Sequence, residues 1–177
     1  MQSSELEEDL MLQERPATTN RRWWGLRTPG RIAMAVFRLP SHLYDRGRGN
    51  LLGHTFLRLI HRGRRTGRPY STVAMVLAFD AATREAVICS AWGARADWVR
   101  NLRAGSAVRV DLGRDWFAPQ HRFLTDDEAA AVATAFRRAH PVRLWFMSLV
   151  LGWGDLRTEE AMRAFVATRP FVALRPI

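Results

Sequence analysis

Lysine is absent from this 177-residue sequence, and all 27 of its Lys/Arg charges are arginine. A GC-rich coding bias and selection for guanidinium chemistry explain that equally well. Arginine suits two-pronged recognition of phosphate and carboxylate better than lysine does. Cysteine is nearly absent too. One residue, Cys89, excludes an intramolecular disulfide and a cysteine zinc cluster, and it fits a reducing compartment. Within "EAVICSA" it reads as a small apolar residue rather than a reactive thiol. No G-x-S-x-G elbow and no P-loop with its lysine occur, and the five histidines show no metal-ligand spacing. Hydrolase and metalloenzyme chemistry are therefore unsupported by motif. The longest apolar run, "LWFMSLVLGW" (Leu144 to Trp153), is too short to span a bilayer. The amino terminus is acidic and lacks the apolar segment of a secretory signal, so a cytoplasmic protein is expected, with peripheral membrane contact left open.

What is present is a strongly basic body. The formal charge is +10, yet residues 1–14 hold acids (Glu5, Glu7, Glu8, Asp9, Glu14) and no base. Such a body attracts nucleic acid or anionic membranes, but its aromatics and arginines are not interleaved on a nucleic-acid-reading motif, and no nucleic acid is expected. Residues 1–30 read as a mobile extension and 31–177 as one domain. "RIAMAVFRL" suits an amphipathic helix ending at Pro40, and Trp23–Trp24 beside Arg21 and Arg22 covers either an apolar face of the protein or a membrane surface.

From Phe56 the pattern turns to strands. "FLRLIH", "YSTVAMVLAF", "AVICSA", "AVRVDL" and "WFAPQHRFL" read as strands, and "ARADWVRNLRAG" as a short helix closed by Gly105. "TDDEAAAVATAFRRAH" carries a Thr125–Glu128 capping box, with acids at its start and bases at its end. A helix from Pro141 to about Leu151, another over "EEAMRAFVA", and a closing strand "FVALRP" complete the chain. This order predicts a compact, mostly antiparallel α+β barrel or half-barrel, without the strand–helix alternation of a dinucleotide fold.

Two stretches carry candidate chemistry. In "HRGRRTGRPY", Gly63 and Gly67 permit a turn whose N–H groups converge on an anion, and Arg64, Arg65 and Arg68 add charge while Thr66 adds a hydroxyl. A solvated basic loop is the competing reading. In "SAWGARADWVRNLRAG", a strand ends at Ser90 and a loop with Trp92 and Gly93 leads into a helix bearing Trp98. The indoles line a flat ligand or belong to the core; Arg100 and Asn101 suit the helix surface equally well.

"GRRTGRP" ahead of a strand, followed by "SAWGARADWVRNLRA" and the closing "RPFVALRP", resembles the deazaflavin-dependent nitroreductase family. The resemblance runs from about Leu39 to Ile177 and implies a six-stranded split β-barrel of the FMN-binding-like type with flanking helices. It implies coenzyme F420 as cofactor, with FMN or haem as the alternative, and hydride transfer to a small, hydrophobic, electron-poor acceptor: a nitro compound, quinone or activated alkene. The cofactor's phosphate and glutamyl tail would fall to Arg64, Arg65, Thr66, Gly67 and Arg68. Its ring would fall to Ser90, Ala91, Trp92 and Gly93, with Trp98 and Asn101 on the helix. Ser90 is the candidate catalytic hydrogen-bond donor. Trp145, Phe146, Met147 and Trp153 either wall an apolar acceptor pocket or belong to a helix packed on the barrel. A homodimer is common in such barrels. Two departures stand out: Ala91–Trp92 replaces a lysine after the serine, and the substrate-bordering tyrosines are missing, Tyr44 and Tyr70 being the only two.

Overall fold

A computed structural model describes residues 40–177 apart from 41, 47 and 106. The expected extension over 1–30, the Trp23–Trp24 pair and the Arg31–Leu39 helix lie outside the described residues. Seven strands form one antiparallel sheet in the order β5-β4-β1-β2-β3-β7-β6. They are β1 (Phe56–Arg62), β2 (Pro69–Asp80), β3 (Glu85–Cys89), β4 (Ala107–Leu112), β5 (Asp115–Phe117), β6 (Pro119–Phe123) and β7 (Phe171–Pro176). From Asp97 onward four α-helices accompany them among the described residues: α1 (Asp97–Arg103), α2 (Asp126–Ala139), α3 (Pro141–Leu151) and α4 (Glu159–Thr168).

The sheet curls because two segments change partners along their length. The first half of β2 pairs with β1, from Arg62↔Pro69 to Phe56↔Met75, and its second half pairs with β3 after an irregularity between Val76 and Ala78. Strands β5 and β6 stand at opposite ends of the order, yet only Ala118 separates them in sequence. The covalent chain therefore joins the two edges and closes a split barrel. Six strands were expected and seven are seen, because "WFAPQHRFL" divides at Ala118. Its first part pairs with β4 and its second with β7. Pro119, which has no N–H to give a ladder, sits at the break.

Alternation sorts the side chains into two cores. Leu57 and Leu59 of β1, Val110 and Leu112 of β4, Ile88 of β3 and Val172 and Leu174 of β7 fill the barrel. Helix α1 stops one side of it with Trp98, Val99 and Leu102. The opposite faces of β2, β3 and β7 (Met75, Val87, Phe171, Ala173) meet α2, α3 and α4 through Phe136, Met147 and Phe165. Strand β7 is thus buried on both faces, which is why "FVAL" is apolar without alternation. The capping box forms as read: Thr125 N–H donates to Glu128 Oε2 at 2.8 Å and Glu128 N–H to Thr125 Oγ1 at 3.3 Å.

One carboxylate is buried within this frame. Asp111 of β4 is 6% exposed and receives Arg58 Nε on Oδ2 at 2.7 Å and Arg109 Nε on Oδ1. Arg58 also reaches Asp45 at 3.4 Å. Both carboxylate oxygens are satisfied, the condition for keeping such a charge inside.

Candidate functional site

The arginine turn connects β1 to β2 and is held closed by its own backbone. Gly63 N–H donates to Arg68 O, and Gly67 N–H to Gly63 O, both at 2.8 Å; Thr66 N–H reaches Gly63 O at 3.2 Å. Arg68 N–H points to Thr66 Oγ1 at 3.4 Å. These donors are consumed inside the turn, so the converging N–H cradle expected from the glycines does not form. The glycines have other work. Gly67 adopts φ +66°, a left-handed conformation that side chains resist, and a Cβ on Gly63 would lie 2.6 Å from the Tyr70 ring.

Another backbone donor, that of Arg64, ties the turn to α1. Arg64 N–H and Arg64 Nη1 both donate to Asn101 Oδ1, at 3.1 and 3.0 Å, and Nη1 also meets Asp97 Oδ1 at 3.2 Å. Because Arg64 offers only donors, the Asn101 oxygen must face it, and the amide nitrogen faces His61 Nδ1 at 3.0 Å. The imidazole is therefore the neutral tautomer with its proton on Nε2. Burial pushes the His61 pKa down to about 4, with a nearby Asp97 charge opposing the shift weakly. His61 is 3% exposed and Asn101 3% exposed, so the link is dry.

This settles where Asn101 lies. Asn101 is not helix surface but a buried pin between turn and helix. His61 follows Leu57 and Leu59 on the inward parity of β1, a signal present in the alternation but masked by the basic residues after it. Asp97, which the sequence reading passed over, shares its Oδ1 between Arg64 and Arg100, the latter at 3.4 Å. What the turn offers to solvent is narrower than expected. Arg65, Thr66 and Arg68 are exposed, and the Arg65 and Arg68 side chains have no hydrogen-bond or ion-pair partner among the described residues.

The second stretch begins where β3 ends. Ser90 is fully buried; its N–H donates to Pro170 O at 3.0 Å and its Oγ to Gly93 O at 2.7 Å. That hydroxyl proton shapes the loop, so the expected role of Ser90 as a free donor to an acceptor does not match its geometry. Gly93 takes φ +76°. Ala91 O accepts from Trp153 Nε1 at 3.1 Å, which braces the loop from the segment after α3. Trp92 is half-buried, whereas Trp98 is 4% exposed and belongs to the barrel core. Burial raises the Cys89 thiol to about 12, in keeping with an inert apolar residue.

The pocket expected from the Leu144 segment does not exist as one wall. Trp145 and Phe146 face solvent, Met147 packs into the helical core, and Trp153 stacks edge-on against Phe165 at 4.8 Å. A cavity of about 200 Å³ opens between Ala94, Arg103, Phe123, Thr168 and Arg169. It is smaller than a typical small-molecule site. Arg169 there lies over the Phe165 ring at 4.4 Å, and desolvation lowers its pKa. Among the described residues no group of side chains could hold a metal ion, and no helix is long and apolar enough to cross a membrane.

Residues 36–143 match a family model described as F420H(2)-dependent quinone reductase. The model names quinone rather than nitro-group reduction. No curated protein sequence matches. Among solved structures, the chain is similar to an F420-H2 dependent reductase (FDR-A), at 13% identity and TM-score 0.46 over 70% of this chain and 96% of that one. It is similar at 13% identity and TM-score 0.48 to a chain described as a domain-swapped dimer, over 80% of this chain and 98% of that one. A third is a pyridoxamine 5'-phosphate oxidase-related, FMN binding protein from Nostoc punctiforme, at 13% identity and TM-score 0.38, covering 79% of each chain.

Proposed function

Because the chain belongs to the F420H(2)-dependent quinone reductase family, and is thereby an oxidoreductase that uses coenzyme F420, we propose that its arginine turn holds the cofactor's phosphate and glutamyl tail and that its acceptor is a quinone-like apolar molecule. The donor set fits such a group. No acid occurs between His61 and Tyr70, and Arg65, Thr66 and Arg68 stand exposed on one turn whose backbone is already rigid. Arg64 contributes differently. Its guanidinium anchors the turn to Asp97 and Asn101, so it orients Arg65 and Arg68 more than it binds.

The Ser90–Gly93 loop is the proposed border of the cofactor ring. Ser90 sets its curvature through Gly93 O, Trp153 fixes Ala91 O, and Trp92 presents the half-buried indole. Trp98 and Asn101 support this surface from behind, as core and as pin. When bound, the reduced cofactor supplies a hydride, and a quinone that gains a hydride and a proton becomes a hydroquinone. The chain's share is to bind, to orient and to exclude water.

The observation that carries this reading is the pair of exposed, unengaged guanidinium groups, Arg65 and Arg68, on a turn held rigid from beneath. Titration of the protein with oxidised F420 and with FMN, followed by its seven tryptophans, tests it. Saturable quenching by F420 that weakens with added salt is expected. Absence of F420 binding below about millimolar, or roughly −4 kcal/mol, would sink it.

A further inference from the structure

Helix α3 presents a surface that the proposed cofactor site does not use. Its inner side, Leu144, Met147 and Ser148, is buried. Its outer stripe follows the 3.6-residue period: Val142 is 75% exposed, Trp145 64%, Phe146 44% and Leu149 67%. Four large apolar side chains on one exposed stripe are unusual for a surface helix.

Along the sequence, the charge flanking the stripe is of one sign. No Asp or Glu occurs from Ala129 to Gly154, while Arg138, His140 and Arg143 fall within that span. The acids of α2 sit at its far end, Asp126, Asp127 and Glu128. The nearest acid after α3, Asp155, is held by Arg157 in a 2.7 Å ion pair.

We propose that this face of α3 docks on an anionic lipid surface, with the helix lying in the plane of the headgroups. An exposed apolar stripe with a tryptophan, in an acid-free stretch that carries arginines, matches the layered chemistry of such a surface: acyl chains below, phosphates beside. A second copy of the chain matches it less well, because a two-fold contact would bring the arginines toward each other. The segment after α3 carries Trp153, whose Nε1 donates to Ala91 O in the Ser90–Gly93 loop. Docking would thus hold that loop close to the lipid boundary, where apolar acceptors dissolve. The inference rests on the surface alone and stands whether or not the acceptor is a quinone.

The test is sedimentation of the full chain with vesicles of phosphatidylcholine, and of phosphatidylcholine mixed with phosphatidylglycerol. Partition onto the anionic vesicles is expected to be at least ~10-fold stronger and to weaken with salt. Trp145→Ser with Leu149→Ser is expected to cut it ~10-fold or more, with circular dichroism and F420 titration unchanged. Arg138→Gln with Arg143→Gln should reduce it to the level seen with neutral vesicles. Trp145→Ser alone serves if the double variant folds poorly. Equal partition onto both vesicle types, no partition at all, or variants that bind like the parent would overturn the proposal. So would a concentration-dependent dimer that the Trp145/Leu149 variant dissociates while vesicles fail to compete.

Discussion

Replacing Arg64 and replacing Arg65 are expected to do different things, because one guanidinium is engaged and its neighbour is not. Arg64→Ala removes the bonds to Asn101 Oδ1 and Asp97 Oδ1, and since these are partly exposed the loss of stability should be about 1–2 kcal/mol in urea denaturation. Arg65→Ala touches no partner among the described residues. It should leave the melting curve unchanged and weaken F420 binding by about 1.5–3 kcal/mol, read by fluorescence titration. His61 gives a second test at this scale. Its folded pKa near 4 lies below the ordinary 6.5, so the unfolded chain takes up a proton in that interval that the folded chain refuses. Stability contributed by the neutral ring is complete above pH 6.5 and falls as the pH drops toward 4, by at most about 3 kcal/mol. His61→Gln keeps an acceptor for Asn101 and abolishes the titration. The difference between parent and variant unfolding free energies should then vanish above pH 6.5 in slope and grow in slope below it.

At the scale of elements, the site is a hairpin turn clipped to a helix. Asn101→Ala removes the clip and leaves the Arg64 N–H and His61 Nδ1 without their partner, so both stability and F420 affinity should fall, stability by roughly 2–3 kcal/mol. A loss of affinity with an unchanged melting point would mean that Asn101 touches the ligand directly. The elements themselves were legible. Alternation marked β1, the Thr125–Glu128 box marked α2, and Gly105 closed α1 with φ +79°. The clip was not, because its members come together only when β1 and α1 pack, and periodicity gives a residue's face without its partner. The same limit misled the reading of α3. Helical spacing alone sets Trp145 and Met147 on opposite sides of the helix, yet an apolar run hides its own periodicity. The anion cradle of glycine N–H groups failed for another reason: composition shows where donors are free to turn, not that the turn will use them on itself.

Across the whole molecule, the fold rests on closure and on a satisfied charge inside it. Asp111→Ala would remove the carboxylate that Arg58 and Arg109 share at the barrel wall and is expected to cost roughly 2–4 kcal/mol in urea denaturation, more than either arginine singly. The antiparallel order was readable from strand spacing, and the bend at Ala118 was not. Nothing local distinguishes one long strand from two short ones until each half has found a different neighbour. Closure by a bent strand also decides which part of the chain completes the barrel. Strand β7 inserts between β3 and β6, so both of those edges stay open until it arrives. A growing chain that has reached Pro170 has made six of the seven described strands and still lacks the one that joins β3 to β6. The edges of β3 and β6 are therefore open to edge-to-edge aggregation in a folding chain until β7 pairs with both.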